Sequence, residues 1–142
     1  MHLNPYLTFN GDCEVAFKFY GECLRGKIEA MFPHAGTPAE AHVPPDWRDK
    51  IVHARLTVGD AVLMGSDAPP GRYERPQGIS VSLNVEDVSE AERVFAALSE
   101  NGKITMSIQQ TFWAARFGMV VDRFGIPWMV NCEPAPTDSQ PD

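Results

Sequence analysis

Short hydrophobic runs separated by polar breaks follow one another along the chain, and the period of each run predicts its element. Residues 5–10 alternate partly and predict a strand, which Gly11 and Asp12 interrupt. Beyond this break, apolar residues recur on one helical face, at Val15, Ala16, Phe19, Tyr20, Cys23 and Leu24. We expect Asp12 to cap this helix and Gly26 to end it. Phe17 lies off the apolar stripe and is expected to be exposed.

Three more strands are predicted after the helix, over 27–32, 51–58 and 61–66. The segment 34–50 contains three prolines and has no regular period, which predicts a long loop. Gly59 and Asp60 form a hairpin signal between the last two strands, because glycine supplies the positive φ of a tight turn. The alternation along the middle strand separates an apolar side from a polar side, which carries His53, Arg55 and Thr57.

The same order of elements then occurs a second time. A strand over 79–85 precedes a helix that Asp87 is expected to cap and that Asn101 and Gly102 close. Three more strands are predicted, over 103–109, 112–121 and 128–132. Asp12 and Asp87 lie 75 positions apart in the sequence, which marks an internal repeat.

The repeat predicts an α+β fold made of paired βαβββ modules. We expect a single domain over 1–134, in which module one (1–67) and module two (79–134) are joined by the linker 68–78. Residues 135–142 are rich in proline and polar residues and predict a flexible tail.

Composition narrows the classes of function. The 142 residues are 44% hydrophobic, which is enough for a core, and the formal charge is −7. Lysine and arginine are scattered, which argues against a nucleic-acid surface and mildly favours a neutral or cationic ligand. The sequence contains no apolar stretch of membrane-spanning length and no signal peptide, so no membrane partner is expected. Three cysteines without close spacing suggest reduced thiols and a cytoplasmic protein.

Several segments together resemble the vicinal oxygen chelate superfamily, which includes glyoxalase I, bleomycin-resistance proteins and extradiol dioxygenases, and within it the PhnB-like branch. They are 5–11 with Phe19 and Tyr20, 53–56 with 63–67, 111–113, 116–118 and 122–128. Ala114 departs from the glycine that this branch usually has. The resemblance implies the glyoxalase/bleomycin-resistance/dioxygenase fold, in which each module curls its sheet and the two modules form a cup.

Metal-dependent members of that superfamily place ligands at four inward-facing strand positions. In this sequence those positions correspond to Tyr6, Met64, Ser80 and Met129. Thioethers prefer soft Cu(I), and a serine hydroxyl is a poor ligand, so the set does not suit a hard divalent metal. The resemblance therefore implies the fold, with no metal and no cofactor expected.

Other side chains have a functional and a structural interpretation. His53 is a candidate general base or ligand-binding group, or else a hydrogen-bonded structural histidine. His34 and His42 could join it in a zinc site, but their spacing fits no zinc motif, and the alternative is two solvated loop histidines. Arg116 could bind an anion or form a surface or subunit salt bridge. Core or dimer contacts are expected for Trp113, Phe117 and Trp128.

The leading hypothesis is a metal-independent protein that binds a small apolar or mixed-polarity molecule in a cup lined by Tyr6, His53, Arg55, Met64, Ser80 and Met129. A homodimer is expected, with the exposed ring of Phe17 as its support. The alternative is a lyase, isomerase or oxygenase that uses His53 or an atypical metal site. A purely structural dimeric module is the third possibility, since one fold hosts many functions.

Overall fold

The computed structural model describes residues 1–134, which contain two α-helices and eight β-strands. The chain divides into two compact units, Met1–Arg75 and the part that begins at Pro76. The predicted flexible tail, 135–142, lies outside the described residues. No helix in the described part of the chain is long and apolar enough to cross a bilayer.

The first unit is one four-stranded sheet with a helix on one side. Its elements are β1 (Tyr6–Phe9), α1 (Cys13–Leu24), β2 (Lys27–Pro33), β3 (Ile51–Val58) and β4 (Ala61–Asp67). The strand order is β1-β4-β3-β2, in which β1 pairs with β4 in parallel and the other neighbours are antiparallel. The predicted loop between β2 and β3 contains two short 3₁₀ helices, Pro38–His42 and Pro45–Trp47.

Helix α1 packs against one side of the first sheet. This side is formed by the apolar residues that alternate along the strands. The buried strand residues on this side include Leu7, Phe9, Ala54, Leu56, Leu63 and Gly65. Phe17 is fully buried there, so its expected exposure was wrong, and Val15 is the exposed residue instead. The cause is steric: Gly65 on β4 has no side chain, and a Cβ at that position would lie 2.8 Å from the Phe17 ring.

The start of α1 is capped from a distant strand. Asp12 makes no side-chain capping bond, contrary to expectation. The carboxylate of Asp67, at the end of β4, instead accepts hydrogen bonds from the backbone N–H groups of Gly11 (2.9 Å) and Cys13 (3.0 Å). Its second oxygen accepts from the N–H of Ile51 at 2.8 Å. One buried carboxylate therefore ties the helix start to the first residue of β3.

The second unit repeats this arrangement. Its elements are β5 (Val81–Asn84), α2 (Val88–Leu98), β6 (Lys103–Gln109), β7 (Arg116–Val121) and β8 (Pro127–Cys132), in the sheet order β5-β8-β7-β6. Asp87 caps α2 as predicted, because its carboxylate accepts from the N–H of Glu90 at 3.0 Å. The predicted α+β class and the twofold βαβββ order are confirmed.

Two strand starts differ from prediction by more than one residue. Strand β5 begins at Val81, two residues later than expected. Strand β7 begins at Arg116 and not at residue 112, because Thr111 and Ala114 close a turn. The N–H of Thr111 donates to the Ala114 carbonyl at 3.0 Å, and the Thr111 hydroxyl accepts from the N–H of Ala114 at 3.1 Å. This turn uses the backbone groups that a longer strand would have paired.

Candidate functional site

The side of the first sheet opposite α1 carries the predicted polar residues, and we name it the open face. It is formed by Tyr6, His53, Arg55 and Met64, which are all exposed or half-buried. Alternation along each strand puts them there, because Leu7, Ala54 and Leu56 point to the helix side and are buried.

Strand register brings three of these residues into one row. Tyr6 on β1 is paired with Met64 on β4, and Met64 is paired with Arg55 on β3. Since neighbouring strands lie about 4.8 Å apart, the row spans roughly 10 Å, with the thioether in the middle. The structure therefore brings together the four predicted residues that belong to the first unit.

Tyr6 and His53 form a polar pair on the open face. The phenolic oxygen of Tyr6 lies 3.3 Å from His53 Nδ1, and the two rings are stacked with centroids 5.9 Å apart. This pair stands in contact with solvent, since Tyr6 is 48% exposed. A phenol that occupies Nδ1 leaves Nε2 of the imidazole available for another molecule.

The second unit has its own open side, with a different chemistry. Met129 on β8 is paired with Ser82 on β5 and with Met119 on β7, which is in turn paired with Met106 on β6. Ser80, the residue predicted for this site, precedes β5 and has no place in that row. A signal for Ser82 existed in the sequence, because Gly26 and Gly102 lie 76 positions apart and the same offset carries Tyr6 to 82.

The remaining histidines have ordinary surroundings. His34 is buried, and its backbone N–H and ring Nδ1 both meet the carbonyl of Lys50, the ring at 2.7 Å, so the expectation that it is solvated was wrong. His42 is exposed, as expected for the loop. Residues 1–134 contain no group of three His, Cys, Asp or Glu side chains that could hold a metal. The zinc interpretation thus has no support among the described residues.

The structure gives Arg116 and Trp128 structural roles in the second unit. Arg116 Nε donates to Glu92 Oε1 at 2.8 Å, which is a surface salt bridge. Trp128 is a core residue, and its Nε1 donates to the buried carboxylate of Asp122 at 2.8 Å. Trp113, in contrast, is 46% exposed.

The donor set implied for a metal does not fit one. Tyr6, Met64 and Met129 supply a phenol and two thioethers, and neither Ser80 nor Ser82 would add a strong ligand. Hard divalent cations prefer carboxylate, carbonyl and imidazole groups. The cysteines offer no alternative, since all three are buried, and burial with the neighbouring Asp67 charge raises the pKa of the Cys13 thiol.

Comparisons with known proteins identify the family and the fold. The model of the Glyoxalase/Bleomycin resistance protein/Dioxygenase superfamily matches residues 2–130. Protein YjdN of Escherichia coli K12 is 36% identical over 139 residues, which cover 92% of this chain and 95% of YjdN. The crystal structure of PA1353 from Pseudomonas aeruginosa is 52% identical with a TM-score of 0.86, over 94% of this chain and 98% of that one. A PhnB protein from Bacillus cereus, 21% identical, shares the fold with a TM-score of 0.78 over 93% of this chain and 99% of that one.

Proposed function

The chain belongs to the Glyoxalase/Bleomycin resistance protein/Dioxygenase superfamily, and from this premise we propose that it binds a small molecule on the open face without a metal ion. The observation that carries the proposal is the Tyr6–His53 pair, which stands exposed beside an apolar side chain. Ligand sites combine a mostly apolar surface with a few polar groups that fix orientation. Such a site needs no catalytic group.

Side chains next to the pair support a ligand of mixed polarity. Met64 supplies a flexible thioether in the middle of the row, and methionine adapts to irregular shapes. Phe32, the register partner of His53 on β2, is 54% exposed and adds an aromatic surface. A bound molecule that covers these groups would remove apolar area from water, at about 25 cal/mol per Å².

The test is a ligand screen by thermal shift, followed by calorimetry on two variants. Tyr6→Phe and His53→Ala each remove one polar group from an accessible face, so both should fold normally. Loss of one hydrogen bond is worth about 1 kcal/mol, so we expect each variant to bind the ligand roughly fivefold more weakly. His42→Ala, in the exposed loop, is the matched control and should bind like the wild type. If no compound stabilises the protein, or if the two variants bind unchanged, the proposal fails.

An enzymatic role for His53 is the second candidate, and the same hydrogen bond favours it. Tyr6 fixes the imidazole by its Nδ1 atom, and an oriented imidazole is a suitable general base. In that case the protein would be a lyase or an isomerase, or an oxygenase with an atypical metal. Elemental analysis of protein purified without a histidine tag distinguishes the cases: stoichiometric Zn, Ni, Mn or Fe would contradict metal-free binding. Turnover that His53→Gln abolishes would favour the enzyme over simple binding.

We also propose a cytoplasmic location and a homodimer. The location is supported by Cys13, Cys23 and Cys132, which are all buried and form no disulfide among the described residues. The redox state of the cysteines is tested by labelling the denatured protein with a thiol reagent, once without a reductant and once after reduction. Three reactive thiols without a reductant are expected, and fewer would contradict it.

A further inference from the structure

We infer that the ligand of the open face carries an anionic group, a carboxylate or a phosphoryl group, which Arg55 binds. This inference rests on the proposed function, and it adds the chemical class of the ligand. Its basis is a cation in the middle of the first sheet that the protein itself leaves unpaired. The side chain of Arg55 is exposed, and among residues 1–134 its guanidinium has neither a hydrogen bond nor an ion pair.

Three other arginines among the described residues are paired with carboxylates. Arg48 lies 3.6 Å from Glu40, Arg93 pairs with Glu90, and Arg116 pairs with Glu92. The register partners of Arg55 are instead Ala30 on β2 and Met64 on β4, which carry no charge.

The carboxylate of Glu29, on the neighbouring strand β2, is already engaged. Thr57, two residues beyond Arg55 on the same side of β3, donates its hydroxyl to Glu29 Oε1 at 3.2 Å. The same oxygen of Glu29 lies 3.9 Å from the ammonium group of Lys27. Lys27 and Glu29 cancel each other, so the charge left on the open face is that of Arg55. The local charge is therefore opposite in sign to the net charge of −7, which on its own favoured a neutral or cationic ligand.

Geometry explains how one molecule could use all three polar side chains. His53 and Arg55 lie on the same side of β3, and residues at this spacing are separated by about 6.8 Å. A guanidinium holds a carboxylate or phosphoryl group through two parallel N–H bonds. The Tyr6–His53 pair then borders the same ligand and can bond to its next oxygen or nitrogen, while Met64 lies under the apolar part.

The experiment compares matched pairs of probes by calorimetry: small aromatic and aliphatic acids, including benzoate, phenylacetate and phenylphosphonate, each with its neutral methyl ester. The variant is Arg55→Gln, and the matched control is Arg72→Gln, which removes the same charge from an exposed residue after β4. We expect the best acid to bind at least tenfold more tightly than its ester. Arg55→Gln should abolish that difference, and Arg72→Gln should preserve it.

The outcomes separate this inference from the function on which it rests. If acids and esters bind equally well, or if Arg55→Gln keeps the preference for acids, the anionic class is wrong and small-molecule binding survives. If neither member of any pair binds at millimolar concentration while the thermal-shift screen does find a ligand, the anionic class is wrong; if that screen also finds none, both proposals fail. If Arg55→Lys shows a preference for acids that is weaker than in the wild type but stronger than in Arg55→Gln, two-point binding by the guanidinium group is supported.

Discussion

At the scale of single residues, the missing side chain of Gly65 decides how α1 meets the first sheet. The Phe17 ring fills the space that a side chain there would need, and it also contacts Phe9 and Tyr20 edge-on. The helix side of the sheet is closed by this aromatic group. The polar residues of β1, β3 and β4 consequently remain on the other side, where the open face is.

Replacement of Gly65 by alanine should therefore destabilise the protein. A new Cβ would lie 2.8 Å from both the Phe17 ring and the Leu7 carbonyl, and overpacking of this kind costs about 1–3 kcal/mol. The matched control is Gly21→Ala within α1, where a Cβ would meet only ordinary contacts at 3.7 and 3.9 Å. We expect that variant to gain about 0.5–1 kcal/mol from helix propensity. Urea denaturation measures both changes, and equal stability of Gly65→Ala and the wild type would refute this account of the core.

The position of Phe17 shows what a periodic pattern leaves undecided. The apolar residues of α1 allow two neighbouring stripes, one through Val15 and Phe19 and one through Cys13 and Phe17. Period alone cannot choose between them, because the choice depends on room created by Gly65, 48 positions away in the sequence. Long-range packing of this kind is absent from any local window.

At the scale of elements, the two helices start by different means although the sequence repeats. The cap of α2 is local, and Asp87 was identifiable from its position before the helix. The cap of α1 comes from Asp67 at the end of β4, and Asp12 has no capping bond. Local sequence rules found the first kind of cap and missed the second, since a side chain from another strand leaves no mark near the helix.

Removal of the Asp67 carboxylate should cost far more than removal of the Asp12 charge. Asp67→Ala leaves three backbone N–H groups without their acceptor, for a loss of about 3 kcal/mol or more. Asp12→Asn should change stability by less than about 0.5 kcal/mol or improve it slightly. Burial raises the pKa of Asp12, so its charged form is disfavoured in the folded protein. Chemical denaturation at pH 7 compares the free energies of unfolding of the two variants. A larger loss of stability for Asp12→Asn than for Asp67→Ala would contradict the assignment of the cap.

The local cap of α2 predicts a dependence of stability on pH. The hydroxyl of Ser89 and the N–H of Glu90 donate to Asp87 and lower its pKa below the ordinary value of 3.8. A lowered carboxyl pKa stabilises the fold above 3.8, and this contribution is lost as the pH falls towards the folded value. The melting temperatures of wild type and Asp87→Ala should differ at pH 7 and converge in strong acid. Ser89→Ala should move the loss to higher pH, whereas a constant difference would argue against this capping interaction.

At the scale of the whole molecule, the duplication could be predicted from the sequence, and the site only in part. The aspartates before the two helices lie 75 positions apart and the glycines after them 76 apart, and these offsets predict the order of elements. Strand register does not follow from the sequence of one strand, so the predicted residue Ser80 precedes β5, and the row contains Ser82. The charge on the open face also depends on strand pairing, because β3 brings Thr57 to Glu29 and the strands beside Arg55 place Ala30 and Met64 next to it.

The predicted homodimer needs a new support, because Phe17 is buried. Phe112 is 96% exposed and lies 4.7 Å from the half-exposed Trp113 ring, which makes an aromatic patch. Light scattering after gel filtration should give twice the monomer mass of 15.7 kDa for the wild type. The double variant Phe112→Ser, Trp113→Ser should be monomeric, and Val15→Ser, at an exposed site on α1, should remain dimeric. A monomeric wild type at high concentration would rule out the dimer.

The central claim is that a small molecule binds on the open face around Met64. The most direct measurement is a titration of protein labelled with ¹³C at its methionine methyl groups, using the best acid found by calorimetry. Six methionines give six signals, and Met64 is the one between Tyr6 and Arg55. We expect the Met64 signal to shift with the affinity found by calorimetry, the exposed Met1 signal to stay in place, and Arg55→Gln to suppress the shift. A ligand that binds while the Met64 signal does not move would show that the site is elsewhere.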